Sequence, residues 1–179
     1  QVMRRLLLLF AAFLVAGCGE KSSSEGSDSA GESAEPSADT AQPADNSFTL
    51  PLSDADIERL LKKAIDRDSL NERDNLLYQL NKSEPFSGWV KEMYDSGQVL
   101  ALGLLKDGTL EGPYMWWNEN GQKRQEGIYK DGEVDGPYML WHDNGQKMAE
   151  GTYKDGESVS GKYWNSKGEE VENLLESQK

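Results

Sequence analysis

The chain is short of several residue types that common kinds of functional site require. Its 179 residues include one cysteine, Cys18, so no disulfide can join two parts of the chain, and any fold depends on hydrophobic packing. One histidine, His142, leaves little material for histidine-based catalysis. Basic residues number 19 against 32 acidic ones, for a net charge of -13, which argues against nucleic acid and anionic headgroups as partners.

Long hydrophobic runs are also missing. The longest, Leu6 to Ala16, has eleven residues, whereas a membrane-spanning helix needs about 20. It follows two arginines and leads to Cys18, an arrangement typical of a secretion signal, here over residues 1–18. Residues 14–18, Leu-Val-Ala-Gly-Cys, resemble the bacterial lipobox, in which the cysteine becomes the first residue of the mature protein.

The lipobox resemblance implies that Cys18 is a lipidation site. Diacylation of its thiol and acylation of the new amino terminus would hold the protein on a membrane, because each buried methylene contributes about 0.8 kcal/mol. Gly19 after the cysteine, rather than Asp, implies the outer membrane if the cell has one. The expected location is therefore the bacterial cell envelope. A buried free thiol at Cys18 is the alternative interpretation.

The segment after Cys18 is poor in apolar residues. Residues 19–47 consist mainly of Ser, Ala, Glu, Asp, Pro and Gly, without an aromatic or β-branched aliphatic residue. Such a segment buries too little apolar surface to order itself, which predicts an acidic, disordered tether. Recruitment of a cation by its acidic residues is the alternative.

A helical cap is predicted at residues 48–70. Ser53 and Asp56 have the spacing of a capping box, and the apolar residues that follow lie on one helical face. The predicted helix extends from about Asp54 to Arg67 and covers the open end of the array that comes after it. The apolar positions are Ile57, Leu60, Leu61, Ala64 and Ile65.

A 24-residue unit recurs from Gly88 onward. Each unit contains two glycine-centred turns, so two short strands remain between them and the unit reads as a β-hairpin. The predicted fold is mainly β, a solenoid-like meander of repeated β-hairpins over residues 71–171, with a C-terminal tail at 172–179. The three units cover residues 88–111, 112–135 and 136–159.

Large side chains at one offset in successive units predict the core. The column four residues before the first turn glycine of each unit is expected to form its spine, with two further columns beside it. Glycines inside the second strands are expected to leave room for a facing aromatic ring. Residues 76–80 and 85–90 are expected to pair as a leading half-unit. The spine is Met93, Trp117, Trp141 and Trp164; the other columns are Leu105, Tyr129 and Tyr153, and Val90, Tyr114 and Tyr138; the glycines are Gly103, Gly127 and Gly151.

Short motifs recur at fixed places in these units. They are Pro-Phe-Ser-Gly at residues 85–88, aromatic-x-x-Asn-Gly-Gln at 117–122 and 141–146, and Tyr-Lys-Asp-Gly at 129–132 and 153–156. With these motifs the chain resembles the MORN-variant repeats of the bacterial YwqK-like antitoxin family, over about residues 76–171. The resemblance implies hairpins in one elongated, curved sheet and a protein-interaction module. A lipid anchor departs from the pattern of a cytoplasmic antitoxin.

Candidate binding residues lie where the units disagree. Trp116 stands in a column of otherwise mixed residues, and because the adjacent Trp117 is expected in the core, Trp116 faces the other side of the strand. Trp116 is therefore the predicted binding residue, together with Tyr114 and Tyr138. Packing of Trp116 under a neighbouring hairpin is the alternative.

No catalytic residue, cofactor or metal site is predicted. His142 flanks a turn and is interpreted as a solvated loop residue. Residues 131–136 imitate the start of a calcium-binding loop, but the twelfth position is His142 rather than Glu. The predicted partner is an unknown envelope or toxin protein. Three non-enzymatic functions stay open: a surface scaffold for protein binding, an antitoxin or immunity protein, and a binder of cell-wall glycan.

Overall fold

The computed structural model describes residues 50–178. The predicted signal segment with Cys18 and the predicted tether lie outside the described residues. Nine strands form one sheet and two form a second. In chain order the elements are α1 (Asp54–Lys63), β1 (Ile65–Asp66), a 3-10 helix (Arg67–Ser69), β2 (Leu70–Arg73), β3 (Leu76–Gln79), β4 (Gly88–Met93), β5 (Val99–Lys106), β6 (Thr109–Trp117), β7 (Lys123–Lys130), β8 (Glu133–Trp141), β9 (Lys147–Lys154), β10 (Glu157–Trp164), β11 (Glu170–Val171) and α2 (Leu174–Ser177).

The large sheet is a meander of antiparallel hairpins in the order β1-β4-β5-β6-β7-β8-β9-β10-β11, which confirms the predicted fold class. The Asp-Gly turns are two-residue turns in which both residues have positive φ, for example Asp131 at 51° and Gly132 at 84°. The Asn-Gly turns are longer loops, closed at one of them by a hydrogen bond of 2.9 Å from the Asn118 N–H to the Gln122 carbonyl. The alternation of these two turns sets the 24-residue period.

A row of tyrosines and glycines crosses the sheet at its centre. Tyr114 lies opposite Gly103 on one side and Gly127 on the other, and Tyr138 lies opposite Gly127 and Gly151. A methyl group added at Gly127 would lie 2.6 Å from Cδ2 of Tyr138, and one at Gly103 would lie 3.1 Å from Cδ2 of Tyr114. The prediction that these glycines leave room for a ring is confirmed at Gly103 and Gly127, whereas the atoms nearest to a methyl group at Gly151 would be backbone atoms of Ser160 and Gly161. We call this side of the sheet the tyrosine face.

The tryptophan column is not the spine of the core, contrary to the prediction. Met93 is 39% exposed, and Trp117, Trp141 and Trp164 are each partly exposed. These residues sit at the ends of their strands, next to the long turns, where fewer neighbours cover them. The buried residues instead lie away from these long turns and include Leu102, Leu105, Tyr114, Met115 and Tyr129.

The opposite side of the sheet carries α1, and we call it the helix face. Ser53 caps α1 by accepting a hydrogen bond from the Asp56 N–H at 3.2 Å, as the capping-box pattern predicts. The helix packs on β4–β6, where Leu102 and Met115 are fully buried beneath it. Ile57 and Leu60 of the helix, and Ala64 just after it, are buried in the same cluster.

Two predictions for this cap are wrong. The helix ends at Lys63 rather than near Arg67, because Ala64 is extended and Ile65 then pairs with Val90 in parallel. The helix also lies on a face of the sheet, and the open edge at β4 is covered by the two-residue strand β1.

The predicted leading half-unit is also different. β3 pairs with β2 in a separate two-stranded sheet, and its link to the segment before β4 is a single bridge between Tyr78 and Pro85. Leu70 of β2 and Leu77 of β3 pack against Val90 and Leu105. The small sheet therefore covers the tyrosine face near its N-terminal edge.

A buried carboxylate ties the start of α1 to β7. The Glu126 side chain is 0% exposed and accepts hydrogen bonds from the Leu52 N–H at 2.8 Å and from Lys123 Nζ at 2.9 Å. One repeat later, Glu150 pairs with Lys147 in the same way, but its side chain is 41% exposed and no helix start lies on it in the described region. Glu126 is thus the repeat position that fixes the helical cap.

We expect Glu126→Ala to lower the free energy of unfolding by about 2–4 kcal/mol, because the variant leaves the Leu52 N–H and the Lys123 ammonium without their buried acceptor. Glu150→Ala is the matched control and should cost less than about 1 kcal/mol, since its ion pair is solvated. Urea denaturation of both variants measures the difference. Equal costs for the two substitutions would contradict the assigned role of Glu126.

Candidate functional site

The three predicted binding residues share the tyrosine face but differ in accessibility. Tyr114 and Tyr138 both lie opposite Gly127, and Trp116 lies one row away, opposite Ala101 and Gln125. The structure therefore brings them into one region of the sheet. A direct role in binding stays a prediction for all three.

Tyr114 is part of the core. It is 7% exposed and its ring meets that of Tyr129 edge to face, with centroids 5.5 Å apart. Gln125 Nε2 donates to the Tyr129 hydroxyl at 2.9 Å. Tyr114 therefore belongs to the buried core of the sheet, and its role in binding stays a prediction.

Trp116 is more closely packed against its neighbours than the sequence analysis predicts. It lies against the cluster of Ala101, Tyr114 and Tyr129, and the Arg124 guanidinium lies 5.4 Å from the centre of its ring. Arg124 is itself paired with Asp143 at 3.2 Å. The alternative interpretation, packing among neighbouring strands, describes Trp116 better than an open aromatic surface does.

Tyr138 borders a shallow pocket near the C-terminal end of the tyrosine face. The pocket occurs because the strand after β9 places Gly161, and not a third tyrosine, opposite Gly151. The Tyr153 ring meets Tyr138 edge to face at 5.3 Å. The other residues that line the pocket include Leu140, Ala149, Tyr163 and Leu174.

His142 is partly buried and braces two neighbouring loops, so the solvated position predicted for it is wrong. Its Nε2 lies 2.9 Å from the Trp164 carbonyl oxygen, which can only accept a hydrogen bond. At the same offset two units earlier, the Tyr94 hydroxyl donates to the Trp117 carbonyl at 2.8 Å. Different side chains at this repeat offset therefore form the same kind of hydrogen bond to the backbone of the next unit.

On the helix face, lysines and tryptophans alternate from strand to strand, a pattern that the sequence analysis did not identify. Lys123 Nζ lies 5.7 Å from the centre of the Trp141 ring, and Lys147 Nζ lies 5.7 Å from that of Trp164. Each lysine also pairs with the glutamate three residues on. The available signal was the repetition of Lys-x-x-Glu at residues 123–126 and 147–150.

No metal-binding group of three or more His, Cys, Asp or Glu side chains is found within residues 50–178. Asp131 in the calcium-loop-like segment occupies a tight turn with positive φ, and its N–H bonds to Glu111 at 2.9 Å. No helix in this part of the chain is long and apolar enough to span a membrane. The chemistry displayed here is that of a folded surface with aromatic, cationic and carboxylate groups.

Comparison with known families bears on two of the hairpins. Residues 110–131 and 134–155 match the MORN repeat variant. Each matched MORN-variant unit contains one hairpin of the sheet, β6–β7 or β8–β9, closed by the long Asn-Gly loop. No curated protein and no solved structure matches the chain.

Burial of the tyrosines predicts alkaline instability. Loss of solvation raises the pKa of Tyr114, Tyr129 and Tyr138 above the ordinary value of about 10. The contribution of these tyrosines to folding stability is fully present below pH 10. It is lost as pH rises, since the unfolded chain then releases protons that the folded chain retains. Each such tyrosine should lower the free energy of unfolding by up to about 1.4 kcal/mol per pH unit.

Urea denaturation between pH 8 and pH 11 measures this slope. In Tyr138→Phe the free energy of unfolding should fall less steeply with pH, by the contribution of one tyrosine, because the variant has one ionisable hydroxyl fewer. A free energy of unfolding that stays constant up to pH 11 in the unsubstituted protein would show that these hydroxyls ionise freely in the folded state.

Proposed function

We propose that this protein is an envelope-anchored scaffold whose MORN-variant repeat sheet binds another protein, and that it is not an enzyme. The observation that carries the proposal is the uneven cover of the sheet. Under α1, Leu102 and Met115 are fully buried, whereas Met139, at the offset of Met115 in the next unit, is partly exposed. An ordered sheet with partly exposed aromatic side chains is suited to binding a partner.

The anchor is the second part of the proposal. The lipobox-like residues 14–18 support lipid attachment at Cys18, and residues 19–47 would then separate the membrane from the repeat array. A flexible segment of that length has an r.m.s. extent of roughly 30 Å. The array would thus be displayed near the envelope surface, on the outer membrane if the cell has one.

The antitoxin hypothesis stays a prediction, for which a neighbouring toxin gene would be the first support. The glycan hypothesis relied on open aromatic surfaces. Trp116 is instead packed and covered by Arg124, which makes the tyrosine face a poor glycan platform. Protein binding is therefore the function that we favour.

The test uses the full chain with a C-terminal tag, expressed in its own cell type and crosslinked gently before lysis. The unsubstituted protein should partition with membranes and recover a partner in stoichiometric amount. Cys18→Ser should move to the soluble fraction. Unchanged partitioning of Cys18→Ser would refute the anchor, and failure to recover any partner in repeated crosslinking would refute the scaffold.

A further inference from the structure

We propose that the helix face of β8–β10 binds an amphipathic helix of a partner protein, about ten residues long and acidic in its first turn. The surface, which we call the open patch, consists of Met139, Trp141, Lys147, Glu150 and Trp164. This inference rests on the proposed scaffold function and names the class of partner.

The protein itself shows that this face accepts a helix. The ten-residue α1 covers three strands, β4–β6, and buries Leu102 and Met115 completely. A helix of ten residues is about 15 Å long, and strands lie about 4.8 Å apart, so three strands support one such helix. The strands β8–β10 offer a support of the same width.

The open patch repeats key positions beneath and beside α1. Met139 occupies the offset of Met115, and Trp141 that of Trp117, which packs against the α1 cluster. Glu150 occupies the offset of Glu126, the acceptor for the Leu52 N–H just before α1. The patch therefore offers an apolar centre and a carboxylate at the place where a helix would begin.

Burial differs sharply between the part of the helix face that α1 covers and the open patch. Pro113 is fully buried on the covered part of the face, whereas Pro137, its counterpart, is exposed. The Glu126 side chain is 0% exposed and the Glu150 side chain is 41% exposed. Within the described chain, the C-terminal helix α2 places Leu174 in the pocket on the tyrosine face. A second helix on the open patch would restore the cover that α1 provides.

The charged residues of the open patch favour a helix with an acidic first turn. Lys162 lies directly opposite Glu150, and Lys147 pairs with Glu150, so two cations flank this carboxylate. An acidic first turn would complement both the lysines and the positive end of its own helix dipole, as Asp54 and Asp56 do in α1.

The two tryptophans are held in place before any partner binds. Lys123 and Lys147 lie over the rings of Trp141 and Trp164 at 5.7 Å. Aromatic anchors that need no ordering on binding lose little conformational entropy. The open patch is thus suited to be the energetic centre of the interface.

The experiment introduces p-benzoylphenylalanine at Thr152, an exposed residue on the same side of β9 as Glu150, in the full chain within its native envelope. The control position is Leu80, which is 52% exposed and follows β3, away from β8–β10. After irradiation, mass spectrometry identifies the crosslinked peptide. That peptide is then synthesised, and its binding to the purified protein is measured by fluorescence anisotropy and its helicity by circular dichroism.

We expect crosslinking at Thr152 to a peptide with apolar residues at helical spacing and acids in its first turn, which gains helicity on binding. Met139→Lys should weaken its binding about tenfold or more. Lys162→Glu, at an exposed position where folding is not at risk, should weaken it severalfold in low salt. Leu80→Lys should leave the affinity unchanged.

Several outcomes would overturn the inference. They are a crosslink to residues 19–49 of this chain or to a second copy, a captured peptide that gains no helicity, and unchanged affinity in both Met139→Lys and Lys162→Glu. Partner capture from Leu80 but not from Thr152 would place the interface elsewhere while the scaffold function stands. Capture from neither position would count against the scaffold function itself.

Discussion

The contact between each central tyrosine and the glycine opposite it on the preceding strand is the constraint on which this sheet depends. With no disulfide available, the array must obtain its stability from packing, and a sheet with large residues at every central position would not fit its rings side by side. Gly103 and Gly127 provide the space that Tyr114 and Tyr138 occupy. The row ends where Gly161 stands opposite Gly151, and the shallow pocket beside Tyr138 marks that end.

The two faces of the sheet are covered unequally, and this asymmetry links the fold to the proposed function. Near the N-terminal edge, the β2–β3 hairpin covers the tyrosine face and α1 covers the helix face. Towards the C-terminal edge the repeats continue with similar side chains, yet Met139, Trp141 and Glu150 remain partly exposed. Repetition thus produces two similar supports, one occupied by the chain's own helix and one available to a partner.

Periodicity was enough to predict the hairpin meander and the roles of Gly103 and Gly127, because fixed glycine offsets imply fixed backbone geometry. It failed for the tryptophan column, since an offset shows that side chains align but not whether another element covers them. The shortened helix could not be foreseen either, because the pairing of Ile65 with Val90 is a tertiary contact that competes with helical spacing. For the same reason Tyr114 was placed in a binding site although Leu110 and Tyr129 help to enclose it.

A double-mutant cycle on Gly127 and Tyr138 tests the central claim most directly. Gly127→Ala should lower the free energy of unfolding by about 1–3 kcal/mol, because the new methyl group meets the Tyr138 ring. In a Tyr138→Leu background that cost should fall by about 1 kcal/mol or more, whereas in the control background Tyr163→Leu it should not change. Additivity within about 0.5 kcal/mol in both backgrounds would contradict the account.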